Sequence, residues 1–363
     1  MRFPSKIDRY LIRNFLLTFV VAISLIIGIT IVFDISERLD GFIGKYGKSP
    51  TMKEIVVDYY FNFIPFFVNL FSPLFVFISA IYFTSRMAYR LEIIAIITSG
   101  WSYRRLVLPY ATAALMIGFA SYSLSNWVIP RANEGRLAFE RTYFRKSSGT
   151  SPNLHQRISP TEFIFAERYM PEKKQVINFA YEWVENGKLT YRILARSAQF
   201  DTVSGVWTLN DYFARRLGDS ESPWRKGERM DTLFPFTPEV FNVDLRQIEI
   251  MTNAELSDFI KKEKEKGSAN LDYYLLEKHS RNANPVTALI LTLIALPVSS
   301  RKLRGGIGIQ LAFGVALAFG YILIQKVTYS FTLSGSLSPF LGVWLPNFIF
   351  AGVGIILAKF AQR

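Results

Sequence analysis

Two uncharged runs enclose a basic connector in "YYFNFIPFFVNLFSPLFVFISAIYFTSRMAYRLEIIAIITSGWSYRRLVLPYATAALMIGFASYSLSNWVIP", residues 59–130. Neither 59–85 nor 106–130 contains Asp, Glu, Lys or Arg. A helix of about 20 predominantly apolar residues crosses the hydrocarbon core of a bilayer, and both runs exceed that length. The connector holds Arg86, Arg90, Arg104 and Arg105 and a single acid, Glu92. Its uncharged part, Ile93 to Tyr103, is too short to span. The stretch therefore reads as two membrane helices joined by a tip lying at the membrane face.

The pattern repeats outward. Residues 14–33, 282–300, 305–325 and 327–358 are also free of charge, which makes six spans. The first run is longer than the apolar core of a secretory signal, about 7–15 residues, and continues into Phe33, Asp34 and Ile35, so it reads as an anchor. The composition agrees, with 50% hydrophobic and 15% aromatic residues and a mean hydropathy of +0.20.

A formal charge of +13 invites a nucleic-acid partner, but its distribution gives another explanation. With the N-terminus in the cytoplasm, the inside segments are 1–13, 86–105, 301–304 and 359–363. They hold thirteen Lys or Arg against two acids, Asp8 and Glu92. The outside loop from Asp34 to Asp58 has four basic and five acidic residues, and the last outside loop, 327–339, has neither. This is the positive-inside bias, and it puts both termini in the cytoplasm. Much of the basicity is topology, and no nucleic acid is expected.

Residues 131–281 have a different texture. In "GKLTYRILARSA", Leu189, Tyr191, Ile193 and Ala195 alternate with Thr190, Arg192 and Arg196, a period of two that means strand. Val176 to Val184 leads into Asn186-Gly187, a favoured hairpin turn. "VWTLNDYFARRL" continues the pattern, so an antiparallel β domain, a sandwich or open barrel, is expected outside the membrane. Thr252 three residues before Glu255 forms a capping box that opens a charged helix running to Gly267. The expected fold is an α-helical membrane protein of six transmembrane helices with an inserted all-β domain. Its divisions are 1–131, 132–281 and 282–363.

Chemistry-bearing motifs are few. No cysteine and two histidines leave no basis for a disulfide, a thiolate metal site or a His-built centre, and no cofactor is expected. There is no Ser-His-Asp set and no HExxH pattern, so an enzyme reading has no support. Gly47-Lys48-Ser49 resembles the end of a phosphate-binding loop, yet the position reserved for that loop's first Gly is Phe42. If ATP powers this protein, another subunit binds it. Asp34, Glu37 and Asp40 with Arg38 read either as a hydrated helix end or as the mouth of a pathway. Lys326, the one charge between Arg304 and Lys359, reads as a snorkelling interfacial cation or as a contact to a substrate phosphate. The basic residues of the β domain, Arg192, Arg196, Arg215, Arg216, Arg225, Lys226 and Arg229, read as a solvated face or as a surface for an anionic ligand.

The connector is the most informative segment. A helix over about 87–99, stopped by Gly100, places Tyr89, Ile93, Ile96 and Ile97 on one stripe, with Arg90, Glu92 and Ser99 elsewhere. An interfacial helix usually carries several cations on its polar face. This one keeps its arginines at the ends and an acid in the middle, which fits docking into a protein groove. Glu92, Arg90, Ile93, Ile96 and Gly100 are the candidate docking residues.

The order of these features resembles the lipopolysaccharide export permeases of the LptF/LptG (YjgP/YjgQ) family. The matching stretches are "DRYLIRNFLLTF", "RLEIIAIITSGWSYRRL", "WVIPRAN", "SSRKLRGGIGIQLAFG" and "LSPFLGVWLPNFIF", with a looser likeness at "ARSAQFD" and "GVWTL" in the β domain. "FDISERLDGF" leans toward the LptG-like branch. The resemblance implies an inner-membrane permease subunit that pairs with an LptF-like paralogue and an LptB-like ATPase dimer. It implies extraction of lipopolysaccharide through lateral gates at spans one and five. It also implies a periplasmic β-jelly-roll-like domain that passes the lipid to an LptC-like membrane-anchored protein and a periplasmic bridge. Glu92 would engage the ATPase. Family members place basic residues near the outer end of span one; here Arg38 and Lys45 are the candidates, with Lys326 in span five, and Asp34, Glu37 and Asp40 stand beside them. Two readings from other classes are a membrane-anchored envelope scaffold and a small-solute transporter.

Overall fold

The computed structural model describes residues 4–45, 47–144, 152–159, 161–185, 188–217, 224–241, 245–265, 268, 270–300 and 306–361. The Asn186-Gly187 turn, Gly267 and the basic run at 301–304 lie outside the described residues. The chain forms two compact units, one of 1–144, 249–254 and 272–363, the other of 145–248 and 255–271.

The first unit is helical. It contains α1 (Lys6–Glu37), the one-turn α2 (Leu39–Phe42), α3 (Phe61–Tyr89) extended at its start by a π-helical segment Glu54–Tyr60, and α4 (Glu92–Thr98). Next come α5 (Tyr103–Ser123), a second π-helical segment Leu124–Val128, and α6 (Ile129–Tyr143). α7 (Asn253–Glu265) follows Thr252 directly and lies almost wholly in the second unit; the first unit resumes with α8 (Leu271–Ser299), α9 (Gly306–Leu333) and α10 (Pro339–Ala361). Six helices among the described residues are long and apolar enough to cross a membrane: Lys6–Glu37, Glu54–Tyr89, Tyr103–Tyr143, Leu271–Ser299, Gly306–Leu333 and Pro339–Lys359. The boundary expected at 131 falls inside a continuous helix. Hydropathy loses the helix where its residues turn polar, but Arg131 to Tyr143 keep the backbone bonds going, and buried Phe139 packs against Tyr59, Tyr60 and Phe63.

The core of this unit is built from Leu11 and Phe15 of α1, Val76, Phe77, Ala80 and Ile81 of α3, and Tyr110 and Ala113 of α5. Apolar association alone does not hold helices together in lipid, where tails are as apolar as Leu; close packing and interhelical hydrogen bonds do. Both devices are present. A Cβ on Gly314 of α9 would lie 2.1 Å from Ile81 Cδ1, so a larger residue there would have to push the end of the Ile81 side chain aside for α9 to lie this close to α3. Asn69 donates to Ser125 Oγ at 3.0 Å and accepts from Ser121 at 2.6 Å. Across α8 and α10, Thr287 Oγ1 donates to Asn347 Oδ1 at 2.9 Å, while Tyr321 of α9 lies within 3.2 Å of that oxygen.

The second unit carries six strands: β1 (Pro152–Ser159), β2 (Glu162–Met170), β3 (Gln175–Glu185), β4 (Lys188–Phe200), β5 (Trp207–Arg216) and β6 (Arg225–Thr232). Every strand pairs antiparallel with its sequence neighbour, in the order β1-β2-β3-β4-β5-β6. The inserted domain is all-β as expected. The jelly-roll-like connectivity that the resemblance implies is not what the strands form: among the described residues they make a simple meander with no crossover.

The buried face of the strands changes parity along one line. Ala166 pairs with Phe179 and Arg168 with Ile177; Phe179 pairs with Ala195 and Ile177 with Ser197; Ala195 pairs with Tyr212 and Ser197 with Asn210; Asn210 pairs with Arg229 and Tyr212 with Gly227. The ladder thus passes over Glu167, Asn178, Arg196, Asp211 and Glu228 at one level of five adjacent strands. Because each strand skips one residue, the register is the same on both sides, but the inward-facing parity flips. Ile193 and Ala195 are buried before the line in β4, and Ala198 after it. Asn178 and Asp211 sit there at φ +50°, a left-handed conformation that Asn and Asp tolerate best among non-glycine residues. All five skipped residues are exposed. The halves fold around Phe179, Trp207 and Phe241, and the segment after β6 covers them, with Trp207 Nε1 donating to the Phe236 carbonyl at 3.2 Å.

Candidate functional site: the connector and the far-end charge network

The connector does not form one helix over 87–99. α3 ends at Tyr89, Arg90 caps it, Leu91 adopts φ +62°, and α4 begins at Glu92. The left-handed residue re-aims the chain so that α4 leaves the line of α3. Gly100 at φ +93° ends it as expected, its N–H donating to the Ile97 carbonyl at 3.1 Å.

The break rotates the expected stripe. Ile93 is 2% exposed and Ile96 packs on the helical core, so these two seat α4 on its own chain. Leu91, Ile94 and Ile97 are 49%, 52% and 40% exposed, and Tyr89 is exposed beside them. Of the candidate docking residues, Ile93 and Ile96 therefore stand in the core, Gly100 shapes the turn, and Arg90 and Glu92 stand at the surface. Leu91 and Ile94 are the surface residues that sequence reasoning missed. Five consecutive apolar or Ala residues carry no period from which to choose a face.

Glu92 is tied to α1: the Tyr10 hydroxyl donates to its Oε2 at 2.9 Å. The other end of the connector is tied to the same helix. Arg105 Nη2 meets Asp8 Oδ2 at 2.6 Å, with Asp8 fully buried, and the Arg105 guanidinium lies 4.7 Å from the ring centre of Trp101. Asp8 also accepts from the Ser5 backbone N–H at 2.7 Å while Ser5 Oγ accepts from the Asp8 N–H, a capping box that fixes the first turn of α1. The acid that caps α1 is thus the acid that clamps the connector. Two contacts two residues apart on α1, at Asp8 and Tyr10, hold both ends of it.

At the opposite end of the helical unit, the candidate substrate-path residues fare differently. Arg38 Nε lies 2.9 Å from Asp34 Oδ1 and its Nη1 3.2 Å from Glu140 Oε1, with the guanidinium 5.0 Å from the Phe144 ring centre. Burial works against its charge, yet Tyr59, Glu140 and Asp34 outweigh that and hold its pKa above the ordinary value. Glu140 continues to Arg136 at 3.8 Å, and Arg136 to Glu249 at 2.7 Å. Asp34, 7% exposed, accepts from Tyr59 at 3.0 Å and from Tyr60 at 3.2 Å. Consecutive residues of an α-helix diverge by about 100° around the axis; the wider π segment brings both hydroxyls to one carboxylate. Arg38 is consumed inside this network. Lys45 pairs with Asp40 at 2.7 Å at the surface. Lys326 is exposed, with no hydrogen bond or ion pair among the described residues. The i,i+4 spacings Asp34-x3-Arg38 and Arg136-x3-Glu140 are the sequence signals of the network.

The match to known proteins is continuous. The family model described as lipopolysaccharide export system permease LptF/LptG matches residues 9–359. The lipopolysaccharide export system permease protein LptG of Escherichia coli strain K12 is 20% identical over 348 residues, covering 94% of each chain, and that of Escherichia coli O6:H1 matches to the same extent. With six helices able to span, an inserted antiparallel sheet and a family match running from α1 to α10, the chain belongs to the LptF/LptG lipopolysaccharide export permease family.

Proposed function

We propose that this chain is one membrane half of an ATP-driven exporter that lifts lipopolysaccharide out of the inner membrane and hands it toward a periplasmic bridge. The observation that carries this reading is the connector surface. An acid and three exposed apolar side chains, Leu91, Ile94 and Ile97, stand on a short helix clamped at both ends to α1. Such a surface suits a groove on a cytoplasmic ATPase dimer, with the apolar residues as anchors and Glu92 meeting a partner cation. The chain has no nucleotide loop of its own, so hydrolysis belongs to that partner.

The positive-inside count supports cytoplasmic termini and a periplasmic β domain. Spans one and five supply the lipid path. Only 22% of the apolar window of α1 and of α9 is buried, against 39–50% for the second, third and fourth spans. These helices leave the most apolar surface for a paralogous permease, a membrane-anchored β protein or the lipid itself. Because the connector is clamped to α1, movement of a docked ATPase is transmitted to a gate-forming helix through Tyr10 and Asp8. Affinity purification with quantified ATPase subunit tests the docking: Glu92→Ala and Ile97→Asp should each lose the ATPase while the chain still accumulates in the membrane. Undiminished ATPase in both variants would remove the basis of the reading.

A further inference from the structure

Between α1 and α5 lies a groove of about 590 Å³, a size typical of ligand clefts, lined by Ile12, Leu16, Leu17, Val20, Thr112 and Met116. Arg9 and Arg13 stand at one end of it. Their spacing, four residues, stacks them on one helix face, and Leu16, Leu17 and Val20 continue that face downward. Arg105 is spent on buried Asp8, whereas the side chains of Arg9 and Arg13 are exposed with no hydrogen bond or ion pair among the described residues. Below them the groove asks for no polar partner, because the Thr112 hydroxyl donates to the Pro109 carbonyl of its own helix at 2.9 Å. The reach from Arg13 to Val20 is roughly 10 Å of helix, a length of acyl chain rather than of a headgroup.

We infer that this groove is a binding site for an anionic glycerophospholipid of the cytoplasmic leaflet, with its phosphate held by Arg9 and Arg13 and one acyl chain lying along Leu16, Leu17, Val20 and Met116. Charge complementarity selects this occupant. A neutral transmembrane helix would fill the apolar part and leave two guanidinium groups unanswered, and a zwitterionic lipid would set its own ammonium near them. Assignment to the cytoplasmic leaflet rests on the proposed topology; the lipid preference itself does not.

Native mass spectrometry of the full-length protein, with whatever subunits co-purify, tests the site with phosphatidylglycerol and phosphatidylethanolamine as probes. Phosphatidylglycerol should be retained preferentially. The double variant Arg9→Gln/Arg13→Gln should weaken it by about tenfold or more, the loss expected when two charge-assisted hydrogen bonds go. Met116→Trp, which fills the groove and spares the cations, should weaken it as well, whereas Lys359→Gln, which removes one positive charge from α10, should not. Equal retention of the two lipids, or wild-type binding by the double variant, would overturn the site. So would a photo-crosslinker at Leu17 that captures a protein segment which added phosphatidylglycerol does not displace. Cysteine labelling of introduced termini reads the topology separately, so an outward-facing N-terminus would reassign the leaflet without touching the lipid preference.

Discussion

At the residue scale, the structure separates side chains that the sequence groups together. Ile93 and Ile94 are neighbours of identical chemistry, yet one is buried in the helical core and the other faces out. Ile94→Asp should therefore leave the chain folded and weaken ATPase capture by about 2 kcal/mol or more, roughly thirty-fold, as for an interface anchor. Ile93→Asp should instead lower the amount of folded chain, because it buries a charge; fluorescence-detected gel filtration checks both. Tyr10→Phe is the subtler test. It removes the hydroxyl that ties Glu92 to α1 and leaves the outward face of α4 intact, so ATPase capture should persist while lipopolysaccharide moved per ATP falls. From the sequence Arg38 reads as a lipid contact; spacing offers Asp34 as a partner, while Glu140 and Tyr59 are too far along the chain for spacing to reveal. Arg38→Ala should destabilise the chain by about 1–3 kcal/mol through the carboxylates it leaves unpaired, whereas Lys45→Ala, which breaks an exposed pair, should stay within about 1 kcal/mol. Thermal unfolding in detergent measures the difference.

At the element scale, two departures from regular geometry do the positioning. The π segment at Glu54–Tyr60 converges Tyr59 and Tyr60 on Asp34, and each hydroxyl is a hydrogen bond to a buried carboxylate. Replacing either Tyr by Phe should cost about 1.5–3 kcal/mol, read by the same unfolding measurement. In the β domain the line of skipped residues switches which alternate side chains of each strand are buried. Asn178→Val should destabilise β3 and β4 by about 1–2 kcal/mol, since a β-branched residue resists the left-handed conformation, while Asn178→Gly should be close to neutral. Hydrogen exchange of the strand amides separates the two. Neither device was legible in advance. A single break in the alternation, as between Ala195 and Ala198, does not announce that neighbouring strands break at the same level, and no spacing rule announces a π turn. Leu91 is likewise silent, as nothing in an Arg-Leu-Glu sequence calls for positive φ.

At the scale of the whole molecule, much was legible, because lipid is an unforgiving solvent. The six uncharged windows each became a helix, since every backbone polar group there must be satisfied within its own segment. The alternation in residues 188–200 became a strand for the complementary reason, a sheet with one buried face. What hydropathy could not see was the polar continuation of the third span to Tyr143, where the helix runs on in residues that favour water. The family match extends from Arg9 to Lys359, so the membrane frame and the inserted sheet belong to a single design. In the proposed account that design joins an ATPase-docking connector to a gate helix through Asp8 and Tyr10. The most direct test is ATP-dependent release of lipopolysaccharide from proteoliposomes containing the purified complex, wild type against Glu92→Ala. The account predicts release by the wild type and its loss in the variant together with the ATPase subunit; release at the wild-type rate from Glu92→Ala would contradict it.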